Sequence, residues 1–447
     1  MILEHLTVAS LEIATLGKTV IPSPLGLSTV YGDNIVNYVE NSATVLTCHD
    51  RDQLLKVMEQ NKPLTAFEKA GPREKIYFDP SKSRAAVVTC GGLCPGINNV
   101  IRSLVMTLYY RYGVKTIYGI KYGYRGFIPK FNYETLLLEP ENVADIHEKG
   151  GSILASSRGA QDISEIVDCL ERMNISLLFT IGGDGTLHAA QVIYEEISRR
   201  DLNISIVGIP KTIDNDISYV QKTFGLETAF SIAADAIRCA HVEAVGAPDG
   251  IGIVKVMGRM SGFIAANAAL ALNEVNYVLI PEIPFDLEGP KGLYKILEQR
   301  LHSRGHAVLI VAEGAGQQYV TGANGQKDES GNRRLGDIGI FLKDGIKKYF
   351  KEQTDIYVNI KYIDPSYLVR SVPANANDSI YCMQLAQNAV HAAMAGKTGL
   401  IIGRWNNRFT HVPIKLAISE SKQLSPEDPL WLNVLESTGQ PITMKNP

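Results

Sequence analysis

The chain has 447 residues, enough for two or three domains around a large buried core. Its 45% hydrophobic and 20% charged residues are those of an ordinary globular protein, and a net charge of −3 argues against the basic footprint of a nucleic-acid binder. No apolar run reaches the roughly 20 residues that span a bilayer. The N-terminus lacks the basic region and apolar stretch of a secretory signal, so a cytoplasmic location is expected, with no nucleic acid or membrane as partner. The six cysteines (Cys48, Cys90, Cys94, Cys169, Cys239 and Cys382) are scattered. Only Cys90 and Cys94 are close, and no second pair completes a zinc site, so reduced core or strand-end thiols are expected.

Residues 1–80 mix short apolar pieces with Pro22, Pro24, Pro63, Pro72 and Pro80 and read as an N-terminal extension packed on the main body. Alternation of strand and helix patterns begins at Ala85. A buried strand over 85–90 closes on Gly91-Gly92-Leu93-Cys94-Pro95-Gly96 before a helix over 97–111. Strand, glycine turn and helix is the geometry in which bare backbone N–H groups meet a phosphate, and equally one that lets a helix pack tightly on a strand. A strand over 115–120 leads into Lys121-Tyr122-Gly123-Tyr124-Arg125-Gly126-Phe127, a loop suited to facing a ligand or to plain surface packing. The segment 150–159 is small and hydroxyl-rich and ends in Arg158-Gly159; its arginine fits a phosphate, a carboxylate or solvent.

A helix over 163–173 precedes a strand over 176–181 and the turn Gly182-Gly183-Asp184-Gly185-Thr186. After the next helix, a strand over 204–209 runs into Pro210-Lys211-Thr212-Ile213-Asp214-Asn215-Asp216. Repeated βα units of this kind predict an α/β fold with a mainly parallel, doubly wound sheet. A second, similar lobe is expected from about Gly246. Its strand over 250–256 ends at Met257-Gly258-Arg259, another over 307–312 ends at Glu313, and Asp364 to Arg370 follows a third. Residues 317–334 read as a mobile loop, 379–395 as a long helix and 399–403 as a last strand. The resulting division is an extension (1–80), two lobes (81–245 and 246–403) and a C-terminal segment (404–447) packing back on the body. Two facing lobes of this kind would set both groups of strand-end turns on one cleft.

The residue types suit phosphoryl transfer, which asks mainly for positioning and charge neutralisation. Asp184 lies between glycines, where backbone can approach phosphates while its carboxylate reaches a divalent cation; a lone Gly-Asp-Gly equally makes an Asx-turn. Asp214 and Asp216 are two residues apart, so in an extended turn they point to opposite sides. One of them can then take a hydroxyl proton. Thr212 adds a hydroxyl. Arg259 and Arg370 suit an anionic acceptor, and Glu313 can accept sugar hydroxyl hydrogen bonds.

Taken in order, the motifs at 91–98, 182–186, 210–216 and 257–259 resemble those of the 6-phosphofructokinase family over roughly residues 71–403. The Gly-Gly-Asp-Gly-Thr turn alone is also similar to NAD kinases and diacylglycerol kinases, which lack the Thr-Ile-Asp-Asn-Asp turn. The resemblance implies Mg²⁺-dependent transfer of the ATP γ-phosphoryl group to fructose 6-phosphate, giving fructose 1,6-bisphosphate in glycolysis, by a homodimer or homotetramer. It implies Asp214 as proton acceptor and Asp184 as the metal-associated residue. Gly91, Gly92, Arg158, Gly159, Gly183, Asp184, Gly185 and Thr186 match the nucleotide site, with Tyr124 near it. Thr212, Ile213, Asp214, Met257, Gly258, Arg259, Glu313, Tyr367 and Arg370 match the sugar phosphate site.

The chain departs from the common bacterial ATP enzymes, which have Gly at Lys211, His at Tyr367, and further arginines near Gly250 and Lys361. These features resemble the pyrophosphate-like branch that includes plant and kinetoplastid ATP-dependent enzymes. Pyrophosphate users of that branch carry Asp in place of Gly185 and Lys at Lys211, so the two positions point to different donors. A side chain at 185 would fill and repel the adenosine-side phosphate, which favours ATP. The alternatives are a pyrophosphate-dependent phosphotransferase and a non-catalytic subunit that binds sugar phosphate or nucleotide.

Overall fold

The computed structural model describes residues 6–320 and 334–447. Residues 321–333, most of the loop expected over 317–334, lie outside the described residues.

The chain forms two compact units. The first comprises residues up to Thr212, Ile217–Gly225 and Val372–Ser421. Its nine-stranded sheet has a parallel centre, in spatial order Leu400–Trp405, Ser205–Pro210, Leu177–Gly182, Arg84–Thr89 and Thr116–Ile120. Every residue of Leu177–Gly182 and Ser205–Pro210 is buried, as the continuous apolar runs require of strands covered on both faces. The register pairs Pro210 with Gly182, and Thr89 with Ile181. Three strands therefore end level, and the turns after Thr89, Gly182 and Pro210 leave the sheet side by side at its carboxyl edge. That is where open α/β sheets bind ligands.

The second unit comprises Ile213–Asp216, Leu226–Ser371 and Lys422–Pro447. Its sheet has four parallel strands, in order Tyr277–Leu279, His306–Ala312, Gly250–Val256 and Asn359–Ile363. Val256 pairs with Ala312 and Val254 with Ile363, so the turns that follow these strands also share one edge. The mainly parallel α/β architecture is the expected one, but the two sheets are unequal in size.

The domain boundaries read from the sequence differ from these units, because long-range pairing overrides chain order. The Ala66–Lys69 strand of the extension pairs antiparallel with Arg408–Pro413, matching His411 to Glu68, so the extension is part of the first sheet. The expected last strand of the second lobe, Leu400–Trp405, pairs parallel with Ser205–Pro210 and belongs to the first unit too. The Leu226–Val245 helix, expected in the first lobe, packs on Gly250–Val256 in the second. The C-terminal segment is shared between both units.

A buried polar cluster fastens the extension inside the first unit. Glu68 takes Arg73 at 2.8 Å, Lys397 at 2.9 Å and His411 Nδ1 at 3.1 Å. Burial alone would raise the Glu68 carboxyl, but His411 and Lys397 hold it far below the ordinary value.

Candidate active site

In the first unit, the turn after Arg84–Thr89 is stapled to the segment 152–157. Gly91 N–H donates to the Ser157 carbonyl at 3.1 Å, Ser156 Oγ to the Gly91 carbonyl at 2.6 Å, and Thr89 Oγ1 to the Ala155 carbonyl at 2.6 Å. Gly91 has φ +83°, which only glycine adopts without strain. Arg158 and Gly159 lie exposed just beyond the stapled stretch.

The Leu177–Gly182 strand passes through Gly183 into the Asp184–Arg199 helix, whose first turn leaves backbone N–H groups without intrahelical acceptors. At Gly182 a Cβ would lie 2.1 Å from Thr186 Oγ1, so the tight turn demands glycine there. Gly185 is different: a Cβ there meets nothing within 4 Å. Lys211 is buried, donates from Nζ to the Gly92 carbonyl and reaches within 3.5 Å of where a Gly91 Cβ would stand. Gly91, Gly92, Gly183 and Lys211 are thus brought together around the same strand ends. Tyr124 supports the turn from the core side, its hydroxyl donating to the Thr186 carbonyl at 3.0 Å while burial pushes its acidity far down.

The Asp184 side chain is 55% exposed, with His188 Nδ1 3.3 Å from Oδ1, a neighbour that sequence reasoning passed over. An Asp and a His at i, i+4 on a helix share a face, which is the signal that was available. No group of three or more His, Cys, Asp or Glu side chains gathers as a metal cage among the described residues. One accessible carboxylate is a donor set suited to Mg²⁺ held mainly by polyphosphate oxygens and water.

In the second unit, Asn215 takes a left-handed conformation (φ 54°), and the chain bends at residues 213–214. Ser261 Oγ donates to the Asp214 carbonyl at 2.6 Å, and Lys422 N–H to the Asp216 carbonyl at 2.8 Å. Burial pushes the Lys422 ammonium down to about 7, against the pull of Asp216 and Asp428. The loop 257–261 is joined to the turn after His306–Ala312. Glu313 N–H donates to the Val256 carbonyl at 2.9 Å and Gly314 N–H to the Gly258 carbonyl at 3.1 Å. Gly258 has φ +126°, and a Cβ there would stand 2.4 Å from the Ser261 carbonyl oxygen.

Arg259 and Arg370 lie close enough to Glu313 for their charges to act on it. Burial raises the Glu313 carboxyl, while the positive charges of Arg259, Lys255 and Arg370 partly offset that rise. Arg370 lies 4.8 Å from the centroid of the Tyr367 ring, which is 75% exposed. Lys255 was not read from the sequence. It holds Asp364 at 2.8 Å and Asp337 at 3.1 Å, fixing the start of the loop that carries Tyr367 and Arg370. Lys361 Nζ is 3.5 Å from Glu243 Oε2. A side chain at Gly250 is sterically barred, since a Cβ would lie 2.0 Å from the Ala244 carbonyl oxygen.

Of the residues read as the sugar phosphate group, the second unit holds Ile213, Asp214, Met257, Gly258, Arg259, Glu313, Tyr367 and Arg370. Thr212 ends a first-unit segment, its carbonyl accepting from Thr223 Oγ1 at 2.7 Å.

Phosphofructokinase is the family whose model matches residues 84–393. The chain belongs to the phosphofructokinase family. It is similar to the ATP-dependent 6-phosphofructokinase of Borreliella burgdorferi, with 55% identity covering 85% of this chain and 86% of that protein. The ATP-dependent 6-phosphofructokinase of Amycolatopsis methanolica is 49% identical over 84% of this chain and 83% of its own length. The chloroplastic ATP-dependent 6-phosphofructokinase 4 of Arabidopsis thaliana is 45% identical over 94% and 78%. Among solved structures, a pyrophosphate-dependent phosphofructokinase from Marinobacter aquaeolei superposes with a TM-score of 0.65 at 20% identity. That match covers 80% of this chain and 91% of the other and carries the fold alone.

Proposed function

We propose that this chain is an ATP-dependent 6-phosphofructokinase that phosphorylates the 1-hydroxyl of fructose 6-phosphate. The observation that carries the donor assignment is the open space at Gly185, in the first turn of a helix that follows a glycine-rich strand end. A nucleotide's phosphates need that room, and its near relatives are named for ATP. Backbone N–H groups at Gly92 and at residues 183–185, with Gly91 letting the chain come close and Arg158 nearby, bind the polyphosphate, and the Thr186 hydroxyl lies beside them. Lys211 lends its charge to the terminal phosphate.

Asp184 would hold the Mg²⁺ that accompanies the nucleotide, an ion that neutralises charge on the phosphate oxygens. Asp214 takes the proton of the 1-hydroxyl as its oxygen bonds to the γ-phosphorus and the ADP oxygen leaves. Lys211 and Asp214 are three residues apart, so the chain alone keeps them within about 11 Å. Arg259 and Arg370 bind the sugar's 6-phosphate, and Glu313 accepts from a ring hydroxyl. Thr212, Ile213, Met257, Gly258 and Tyr367 shape the sugar site.

A cytoplasmic homodimer or homotetramer belongs to the same reading. No helix among the described residues is long and apolar enough to cross a membrane, and light scattering reads the assembly directly. The reading is tested by phosphorus NMR of the purified protein with ATP, Mg²⁺ and fructose 6-phosphate. A new ester at the 1-position should grow as ADP appears. Binding of both ligands with no new ester would make the chain a non-catalytic subunit.

A further inference from the structure

The turn that carries Asp214 is held by contacts converging on a carboxylate with no part in the chemistry above. Glu282 follows the Tyr277–Leu279 strand in the second unit. Its Oε1 accepts two backbone N–H groups, from Gly262 at 2.9 Å and from Leu424 at 2.9 Å. Oε2 is enclosed, with no hydrogen-bond partner among the described residues. Gly262 is the N-cap of the Phe263–Leu272 helix. A carboxylate at that end is favoured by the helix dipole, so a buried acid is tolerable there.

Both donors lead straight to the Asp214 turn. The residue before Gly262 is Ser261, 1% exposed, whose hydroxyl donates to the Asp214 carbonyl. Two residues before Leu424 is Lys422, whose N–H donates to the Asp216 carbonyl. The Lys422 ammonium also lies 5.2 Å from the centroid of the Phe263 ring, in the first turn of the same helix. One carboxylate oxygen therefore clamps together the two strands of chain that grip residues 214 and 216 by their carbonyls. Asn215, between the two gripped residues, is in the left-handed region at φ 54°, so both carbonyl grips act on a bent stretch of chain.

We infer that Glu282 is a positioning residue for Asp214, acting through Ser261 on one side and through the 422–424 segment on the other. The inference rests on the reading of Asp214 as the base. Burial raises the Glu282 carboxyl, and the Leu424 and Gly262 N–H groups oppose that rise. The useful property of the side chain is an acceptor oxygen in a fixed place, which glutamine also offers.

Glu282→Ala, Glu282→Gln and Ser261→Ala are compared with Asp214→Asn and with the Asp214→Asn/Glu282→Ala double variant. Each is melted to confirm folding, then assayed well below its Tm. A misplaced reacting group costs on the order of 10²-fold, so Glu282→Ala should lower kcat by about 10- to 100-fold with the KM for ATP little changed. Glu282→Gln should recover kcat to within about threefold, because its amide oxygen accepts the same two bonds. Ser261→Ala should lower kcat in the same sense. In the Asp214→Asn background, Glu282→Ala should cost almost nothing more, as residues acting through one group are non-additive.

A kcat unchanged in Glu282→Ala, or a full multiplicative loss in the double variant, overturns the inference. If Glu282→Ala does not fold, Glu282→Gln and Ser261→Ala decide it: normal kcat in Gln with reduced kcat in Ser261→Ala supports it, and normal kcat in both overturns it. Normal turnover of Asp214→Asn alone would sink the base assignment instead, so the two failures are distinguishable.

Discussion

Substituting Gly185 by Asp isolates donor choice from folding. The glycine φ is not left-handed, and a Cβ meets nothing within 4 Å, so the side chain has room. Position 185 is the second residue of the Asp184–Arg199 helix. Glycine there costs about 0.5–1 kcal/mol relative to alanine, and an acid in a first helical turn gains about 0.3–1 kcal/mol. The variant should therefore melt at or slightly above the wild-type temperature. For ATP the change is adverse. A new carboxylate about 6 Å from a phosphate charge, at an effective dielectric of about 20–40, is repelled by about 1.4–2.8 kcal/mol per charge pair. That is about a 10- to 100-fold loss in kcat/KM for ATP, before any steric exclusion is counted. Steady-state kinetics with varied ATP at saturating fructose 6-phosphate gives the number. An unchanged kcat/KM in a folded variant would refute the claim that the space at Gly185 belongs to the nucleotide.

Other substitutions test the remaining parts. Asp214→Asn keeps the shape of the turn and removes the base, so kcat should fall by about 10²- to 10⁴-fold while calorimetric binding of fructose 6-phosphate changes little. Gly258→Ala must place a methyl 2.4 Å from the Ser261 carbonyl oxygen at φ +126°; it should lower the Tm by several degrees and raise the KM for the sugar phosphate. Arg370→Ala should raise that KM with little effect on the KM for ATP, a split readable in one kinetic matrix.

Stability should also fall with acid. Burial holds His391 down at about 3 and His411 below its ordinary value. The unfolded chain therefore binds these protons first, and stability is present above about pH 6.5 and lost as pH falls below it, approaching about 1.4 kcal/mol per pH unit for His391, with His411 acting in the same direction. Thermal melts from pH 7.5 to 5 measure the slope, and His391→Gln should reduce it.

The parts of this molecule legible in its sequence are those encoded locally. A fully buried parallel strand is a short apolar run, and the turn that ends it must contain glycine where backbone meets backbone. Residues 85–96 and 177–186 announce themselves this way, and 205–216 by an apolar run that ends in a polar turn. The pairing of Leu400–Trp405 with Ser205–Pro210 and of Ala66–Lys69 with Arg408–Pro413 has no local signature. Both pairings join segments about two hundred residues or more apart, and they redrew the division into units. The supports of the candidate site were hidden for the same reason. Ser261 and Lys422 reach the Asp214 turn by hydrogen bonds across long stretches of chain, Glu282 touches it only through their neighbours Gly262 and Leu424, and Lys255 looks like any polar residue in a strand. Gly250 shows the converse: packing against Ala244 explains why no arginine stands there, which spacing alone leaves unexplained.

The central claim is that ATP is the phosphoryl donor to fructose 6-phosphate. The most direct measurement is the rate of fructose 1,6-bisphosphate formation by the purified protein, with ATP or pyrophosphate at equal concentration, each with and without Mg²⁺. The account predicts Mg²⁺-dependent turnover with ATP and little or none with pyrophosphate. Turnover with pyrophosphate but not with ATP would contradict it, and Lys211 rather than Gly185 would then be the residue that reports the donor.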